Sequence, residues 1–486
     1  MKITKVDQQQ NILSKSYNIK GASLTNPQKW ILILVLFLLY FYYFISSSGI
    51  NSSNDSGHMA LASSIYHDHQ LSVEKYWMVL IFPPDYAVKD GKLYSDRLPG
   101  NAFSIIPFLA YADFIKLIIP EKLANNPNFD IITSTLLPNI CGVIGLLLLF
   151  LICFKIFLFR FWTCLIVMII AGIATLNHLE SIHLFSHAPS MMSVTLAVTL
   201  ALFSKNSKHW KLYLYAISAV LGYATIVELQ NILFFIPLFF YVITINQYAI
   251  FKNFKSTIKM VIICSFIMGL FIGLLLFYNY SAFGELILKS NKYNPFFKEE
   301  LSFFTSLSGN FFSGIDNLFT SFNNIHSYIN WSLGTENNTP GLLVSNPVFI
   351  FSILGFIPFF KHHKKESLLF LSLIIISVLI ASFHVTTLVR HIFTVHMLLF
   401  MPFIFFLNWI SYLPQKRKII WFTIVVVIII LSFIREVYIC NHYFGRAFHF
   451  GEFPYLKNIH IFLILNIPLL LASLLFKLFI KRFSRI

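Results

Sequence analysis

Residues Trp30 to Ile45 read WILILVLFLLYFYYFI, a run without a single charged side chain. Wound as a helix it comes close to spanning the roughly 30 Å hydrocarbon core of a bilayer. The polar residues 1–29 precede it and no clean small-residue cleavage site follows, so it reads as a first membrane span and not as a removed leader. A second run, IIWFTIVVVIIILSFI from Ile419 to Ile434, has the same character. Composition generalises the reading: 57% of the 486 residues are hydrophobic, 55 are Phe and only 12% are charged, more apolar surface than water-soluble domains can bury. Lipid must be part of the solvent.

Working outward along the chain, apolar windows fall near 30–46, 131–154, 161–177, 188–204, 210–228, 231–247, 259–279, 342–360, 367–383, 391–412, 419–435 and 459–478. One further window, Asn101 to Pro120, is ambiguous, and the basic residues arbitrate. With twelve spans and residues 1–29 as a cytoplasmic tail, the inner connections collect Lys155 and Arg160, then Lys205, Lys208 and Lys211, then Lys252, Lys255 and Lys259, then KHHKK, PQKRK and the basic C-terminal tail. The short outer connections hold only Arg390, Arg435, Arg446 and Lys457. That asymmetry obeys the positive-inside rule along the whole chain, and a crossing at Asn101 to Pro120 would reverse it. This window is therefore expected to lie along the outer interface or to dip in and out, as its Asp113 and Lys116 suit. The expected fold is an all-α, polytopic membrane protein of about twelve transmembrane helices. It forms one domain over 30–486, carries two large outer segments, 47–130 and 280–341, and has both termini cytoplasmic, as in a prokaryotic inner membrane.

The net charge of +16 is mostly topological anchoring, which makes nucleic acid a poor inference. Nine Lys and Arg in the two outer segments are left unexplained by topology. Four of the five cysteines lie in apolar runs without metal or redox spacing. No phosphate-cradling Gly-rich loop, HExxH or internal repeat occurs, so ATP-driven transport and zinc proteolysis lack support.

Polar residues gather at the outer rim. In NSSNDSGHMALASSIY, Asp55 stands near an N-cap and His58 in the first helical turn; Asp55 reads as a cap or as a functional carboxylate. In YAVKDGKLYSDRLPG, Asp90-Gly91 marks a turn and Leu98-Pro99-Gly100 a break before the interfacial helix. Arg97 there either snorkels to headgroups or grips a phosphate with two parallel hydrogen bonds. In NHLESIHLFSHAPSMM, His178, Glu180, His183 and His187 invite a metal, yet the required helix is interrupted near Pro189. A polar pocket wall containing Glu180 and His187, or plain interfacial histidines, fits better. A divalent metal such as Mg or Mn has no support from ligand spacing, and no cofactor is firmly implied. Glu228, where two spans meet with almost no loop, is a functional candidate near membrane depth or the cap of a tight hairpin. Arg390 and His391 open a late span, with Arg390 running against the positive-inside trend, while His384 and His396 read as packing residues.

An acidic residue just after the first span, a small-residue helix, the DGKLYSDRLPG stretch and an apolar interfacial helix together resemble the GT-C superfamily of membrane glycosyltransferases. The likeness is nearest to the branch of the protein O-mannosyltransferases and the lipid A aminoarabinose transferase, good over about 30–240 and looser beyond. The resemblance implies a polyprenyl-phosphate-linked sugar donor and an acceptor that is a lipid, glycan or protein. It implies Asp55 as the general base, with Arg97 holding the donor phosphate beside Tyr94 and Lys92. Arg390 would complete the clamp, with His58, His187, Glu180, Glu228 and His391 lining the pocket. Displacing a lipid phosphate from an anomeric carbon needs a base on one side and neutralised charge on the other. The stretch TPGLLVSNPVF resembles a late family motif but carries Thr339-Pro340 where a basic residue is usual. The aromatic segment before it, with Tyr328 and Trp331, reads as an interfacial belt or as sugar-stacking rings. A lipid-linked saccharide flippase and an oligosaccharide polymerase or ligase are the rival functions. A flippase should show matching halves and midplane charges.

Overall fold

The computed structural model describes residues 23–468 except 48, 51, 78–79, 81–84, 206, 249–252, 291–292, 296–310, 320–340, 384–388 and 444–459. The chain is a polytopic helical membrane protein. The expected first span is the helix Asn26–Ser46, started by a capping box in which Gln28 N–H donates to the Thr25 hydroxyl (3.4 Å) and Thr25 N–H to the Gln28 side chain (3.0 Å). Among the described residues, seven helices are long and apolar enough to cross a membrane: Asn26–Ser46, Phe129–Ile156, Trp210–Val227, Phe254–Phe283, Lys364–Phe383, His391–Ser411 and Gln415–Val437. Shorter apolar helices, Phe161–Ile173, His187–Phe203, Leu229–Ile245 and Phe349–His362, fill the remaining expected windows up to the last, of which residues 460–468 are helical.

Packing sorts these helices. His391–Ser411 and Phe129–Ile156 are mostly buried, whereas Phe254–Phe283 and Gln415–Val437 leave most of their apolar surface open, with Phe266 and Phe277 among the exposed rings. Apolar faces of that size are stable against acyl chains and not against water. The core runs through the centre, where Tyr43, Phe150, Met191, Phe234 and Phe400 are all buried.

Two spans are interrupted, and polar side chains fill the gaps. The window expected at 342–360 breaks at Asn346-Pro347 into Leu342–Ser345 and Phe349–His362, because proline disfavours helical geometry in the residue before it. Asn346 accepts the Leu176 N–H (2.8 Å) and donates to Glu436 (3.1 Å), which also accepts the Leu179 N–H (3.2 Å). The span expected at 161–177 stops at Ile173, and Asn177–Ser181 forms a separate turn held by Tyr43 and Asn139. His396 packs as expected, buried and hydrogen-bonded to Thr175 (2.8 Å).

Among its described residues, the segment after the first span carries an antiparallel hairpin between its helices, strands β1 (Tyr86–Lys89) and β2 (Lys92–Ser95), a departure from a purely helical fold. The helix Ser53–Asp68 precedes it, and the helix Pro99–Lys116, covering the ambiguous window, follows. These two helices pack through Met59, Leu61, Ala102, Ile105 and Leu109. Pro99–Lys116 is outside the set long and apolar enough to cross, and its Lys116 bridges Asp113 (3.2 Å) and Asp130 (2.5 Å).

Candidate active site

The expected Asp90-Gly91 turn is a tight two-residue hairpin turn. Both residues have positive φ, 51° and 76°, the requirement of the turn type whose twist matches its strands. The register pairs Tyr86 with Ser95 and Lys89 with Lys92. Asp85 is thereby brought beside Asp96 and Arg97. The Arg97 guanidinium pairs with Asp85 through Nη2 and with Asp96 through Nε (3.2 Å to Oδ1), and its N–H donates to the Ser95 hydroxyl (3.3 Å). Two carboxylates therefore fix the fork of the cation singled out in the sequence.

The helix Ser53–Asp68 lies directly on this group. Its cap is Ser52, whose hydroxyl accepts the Asp55 N–H (3.3 Å), so Asp55 stands within the first turn and is fully buried. Two residues on, a Cβ at Gly57 would lie 3.4 Å from the Arg97 side chain and from the Asp85 carbonyl. The main chain is pinned too, since Asp85 N–H donates to the Ser53 carbonyl (2.9 Å). His58 is 2% exposed. Burial, then the positive charge of Arg97 and the nearby His187, push its pKa down to about 3, so it is neutral at physiological pH.

Gly100 explains the Pro-Gly break. A Cβ there would stand 2.5 Å from the carbonyl carbon and oxygen of Ile226 and 2.7 Å from Val227 N. Only a residue without a side chain permits that backbone approach. The next residues are Glu228 and its partners. Glu228 leaves the helix Trp210–Val227 in extended geometry (φ −144°, ψ 115°). Its Oε1 accepts from Ser186 (3.1 Å) and His187 Nδ1 (2.6 Å). Its Oε2 accepts from Ser190 (2.9 Å), Thr394 (2.8 Å) and Gln230 (3.3 Å).

A third segment closes in from beyond the helix Phe254–Phe283, which ends at Gly284 in left-handed geometry. Asn294 Nδ2 donates to Asp96 (2.6 Å), and the Tyr293 ring stacks on Phe283 at 5.0 Å. Burial pushes the pKa of Asp96 up to about 6, opposed by the Asn294 hydrogen bond and Lys289. Lys289 is held below its ordinary value by burial and by Arg97.

Of the residues singled out in the sequence, His58, Arg97, His187 and Glu228 lie within electrostatic reach of one another, and Asp55 is buried on the helix that carries His58. Lys92 is exposed at the hairpin tip, and Tyr94 packs on Phe283 (ring centroids 5.2 Å) in an apolar cluster with Leu71 and Tyr293. Glu180 is buried in the turn Asn177–Ser181, where the His178 ring stacks on Tyr42 (4.6 Å). Arg390 and His391 belong to the short helix Val389–Val395 that carries Thr394. The Arg390 side chain, His384, Tyr328 and Trp331 lie outside the described residues. Among the described residues, no group of three or more His, Cys, Asp or Glu could hold a metal ion.

Sequence reasoning passed over Asp85, Asp96, Lys289, Ser190 and Thr394. Asp96 stood inside the motif itself, and Lys289 was one of the basic residues left unexplained. Ser190 and Thr394 carried no signal, because hydroxyls are ordinary within apolar helices.

No protein-family profile matches the chain, and no curated protein matches it in sequence. Solved structures do. ArnT from Cupriavidus metallidurans, bound to undecaprenyl phosphate, superposes with a TM-score of 0.53 at 11% identity over 83% of this chain and 64% of that one. The archaeal oligosaccharyltransferase AglB from Archaeoglobus fulgidus, in complex with an inhibitory peptide and a dolichol-phosphate, superposes with a TM-score of 0.50 at 12% identity over 85% of this chain and 56% of that one.

The chain shares the fold of these two proteins. It spans under two thirds of the length of either neighbour, and the likeness is one of fold. Chemistry on a shared framework has to be argued from the site.

Proposed function

We propose that this chain is a GT-C glycosyltransferase that moves a sugar from a polyprenyl-phosphate-linked donor to a lipid, glycan or protein acceptor at the outer face of the membrane. The observation that carries the reading is convergence. A buried carboxylate, Asp55, stands on the helix that meets Arg97 at Gly57 and carries His58, three residues on, within electrostatic reach of Arg97, His187 and Glu228. Gly100 brings the loop after Arg97 onto the backbone ahead of Glu228.

In this reading the acceptor's X–H group gives its proton to Asp55 while X attacks the anomeric carbon. The C1–O bond to phosphate breaks, and its electron pair leaves with the polyprenyl phosphate. Arg97, oriented by Asp85 and Asp96, offsets the charge on that leaving group, with Arg390 as the second cation of the clamp. Planar guanidinium groups suit this task because their paired N–H donors match phosphate oxygens. His58, neutral through burial, and His187 supply polar contacts together with Glu180, Glu228 and His391, while Lys92 and Tyr94 stand with Arg97 on the donor-phosphate side.

The test uses sugar-labelled undecaprenyl-phosphate donors and the total envelope fraction as acceptor. Covalent transfer is expected, and Asp55→Asn should reduce it by on the order of 10³-fold with the melting temperature unchanged, as loss of a general base does. Retained transfer in the variant sinks the assignment of Asp55. Movement of label between leaflets without a covalent product would make the protein a flippase, and transfer only from pyrophosphate-linked oligosaccharides a ligase.

A further inference from the structure

Glu228 has the geometry of a residue that organises a site without touching what the site binds. A carboxylate offers about four lone-pair directions. Here five donors occupy them, two on Oε1 and three on Oε2, between 2.6 and 3.3 Å. Ser190 and Thr394 are also 3.1 Å apart, either able to donate to the other, and Ser190 accepts from Asn231 Nδ2 (2.8 Å). With one of the two hydroxyls turned to the other, four donors still remain on the carboxylate. The carboxylate has no acceptor capacity left for a sugar hydroxyl or an attacking nucleophile.

Its donors come from places far apart in the chain. Ser186, His187 and Ser190 start the span His187–Phe203, Gln230 starts Leu229–Ile245, and Thr394 lies in the turn that also carries Arg390 and His391. His187 and the Val389–Val395 turn, which reach toward substrate chemistry in the transferase reading, are therefore held by opposite oxygens of one carboxylate. Thr394 ties that turn to Glu228 by a hydrogen bond.

We propose that Glu228 is a positioning residue that acts through His187 and Thr394, setting the turn bearing Arg390 and His391 against the His187 end of its span. The inference rests on the transferase reading for its kinetic test and stands apart from it in its thermal test.

Replacement by Gln separates positioning from charge, since an amide oxygen still accepts from His187 and hydroxyls can turn to accept from the amide. Under sugar-donor turnover, Glu228→Gln should keep kcat within about tenfold, the scale of one weakened hydrogen bond. Glu228→Ala should lose on the order of 10²-fold in kcat, as misplacement by about 1 Å does, with the donor KM changed only a few-fold. His187→Ala combined with Glu228→Ala should fall no further than either single variant, the mark of residues acting as a unit. A Gln variant as inactive as the Ala variant would overturn the inference by assigning the charge itself to the chemistry, and multiplicative losses would overturn it by separating the two residues. A thermal double-mutant cycle on Glu228 and Thr394 requires no substrate. It should show coupling, and additive destabilisation would overturn the inference even if wild-type protein transferred nothing, an outcome that would by itself sink only the transferase reading.

Discussion

The surroundings of Arg97 and of Glu228 hold charge in opposite ways. Arg97 sits in loop and hairpin geometry, flanked by the ionisable Asp85 and Asp96 and partly open to solvent. Glu228 sits at the junction of two spans and is held mainly by neutral donors, three hydroxyls and an amide, plus one imidazole. Ion pairs near water are adjustable and weakened by salt. A carboxylate at membrane depth is stable only when its oxygens are saturated. In the proposed reading the first arrangement exchanges a carboxylate for a phosphate, and the second holds a geometry.

The most damaging way to break this pairing is to separate its halves. Gly100→Ala should do so, because a methyl group 2.5 Å from the Ile226 carbonyl forces the loop off the span. A loss of several kcal/mol is expected, on the scale of overpacking combined with a displaced backbone. Melting temperature in detergent checks it, and an unchanged value would mean that the two regions are not rigidly joined.

A smaller effect sharpens the contrast itself. Arg97→Ala leaves Asp85 without its cation and should cost about 1–3 kcal/mol, less at high salt, since Arg97 and Asp85 are partly exposed. Thermal melts of Glu228 variants should show little salt dependence. Equal salt sensitivity at both places would erase the distinction drawn between them.

The smallest effect is confined to a pH window. With a folded pKa of about 6 against an ordinary 3.8, Asp96 binds its proton more tightly in the folded state. Its favourable contribution is present below about pH 4 and is lost as pH rises through 6. Asp96→Asn should flatten the stability profile between pH 4 and 7 by about 2 kcal/mol. Melting curves across that range check it, and a variant with the wild-type slope would place the titration elsewhere.

Much of the fold was legible from residue types alone. Lipid-length apolar runs, the basic inner connections, the Asp-Gly turn and the Pro-Gly break each express a local rule, and the helices, hairpin and close approach follow them. The two interrupted spans were less legible, because an apolar window does not report where Asn346-Pro347 opens a helix for Glu436 to fill. Asp55, His58 and Arg97 stood out as polar residues in an apolar chain, so they could be singled out. Thr394 and Ser190 could not, since one hydroxyl among apolar residues says nothing until the acceptor it faces is known.

The sequence by itself determined a polytopic helical membrane protein, because hydropathy acts over a few neighbouring residues. Only the tertiary structure decided that Arg97 is clasped by Asp85 and Asp96 and that Glu228 is filled by five donors. Those pairings join residues up to 166 positions apart, and such partners are chosen by how helices pack.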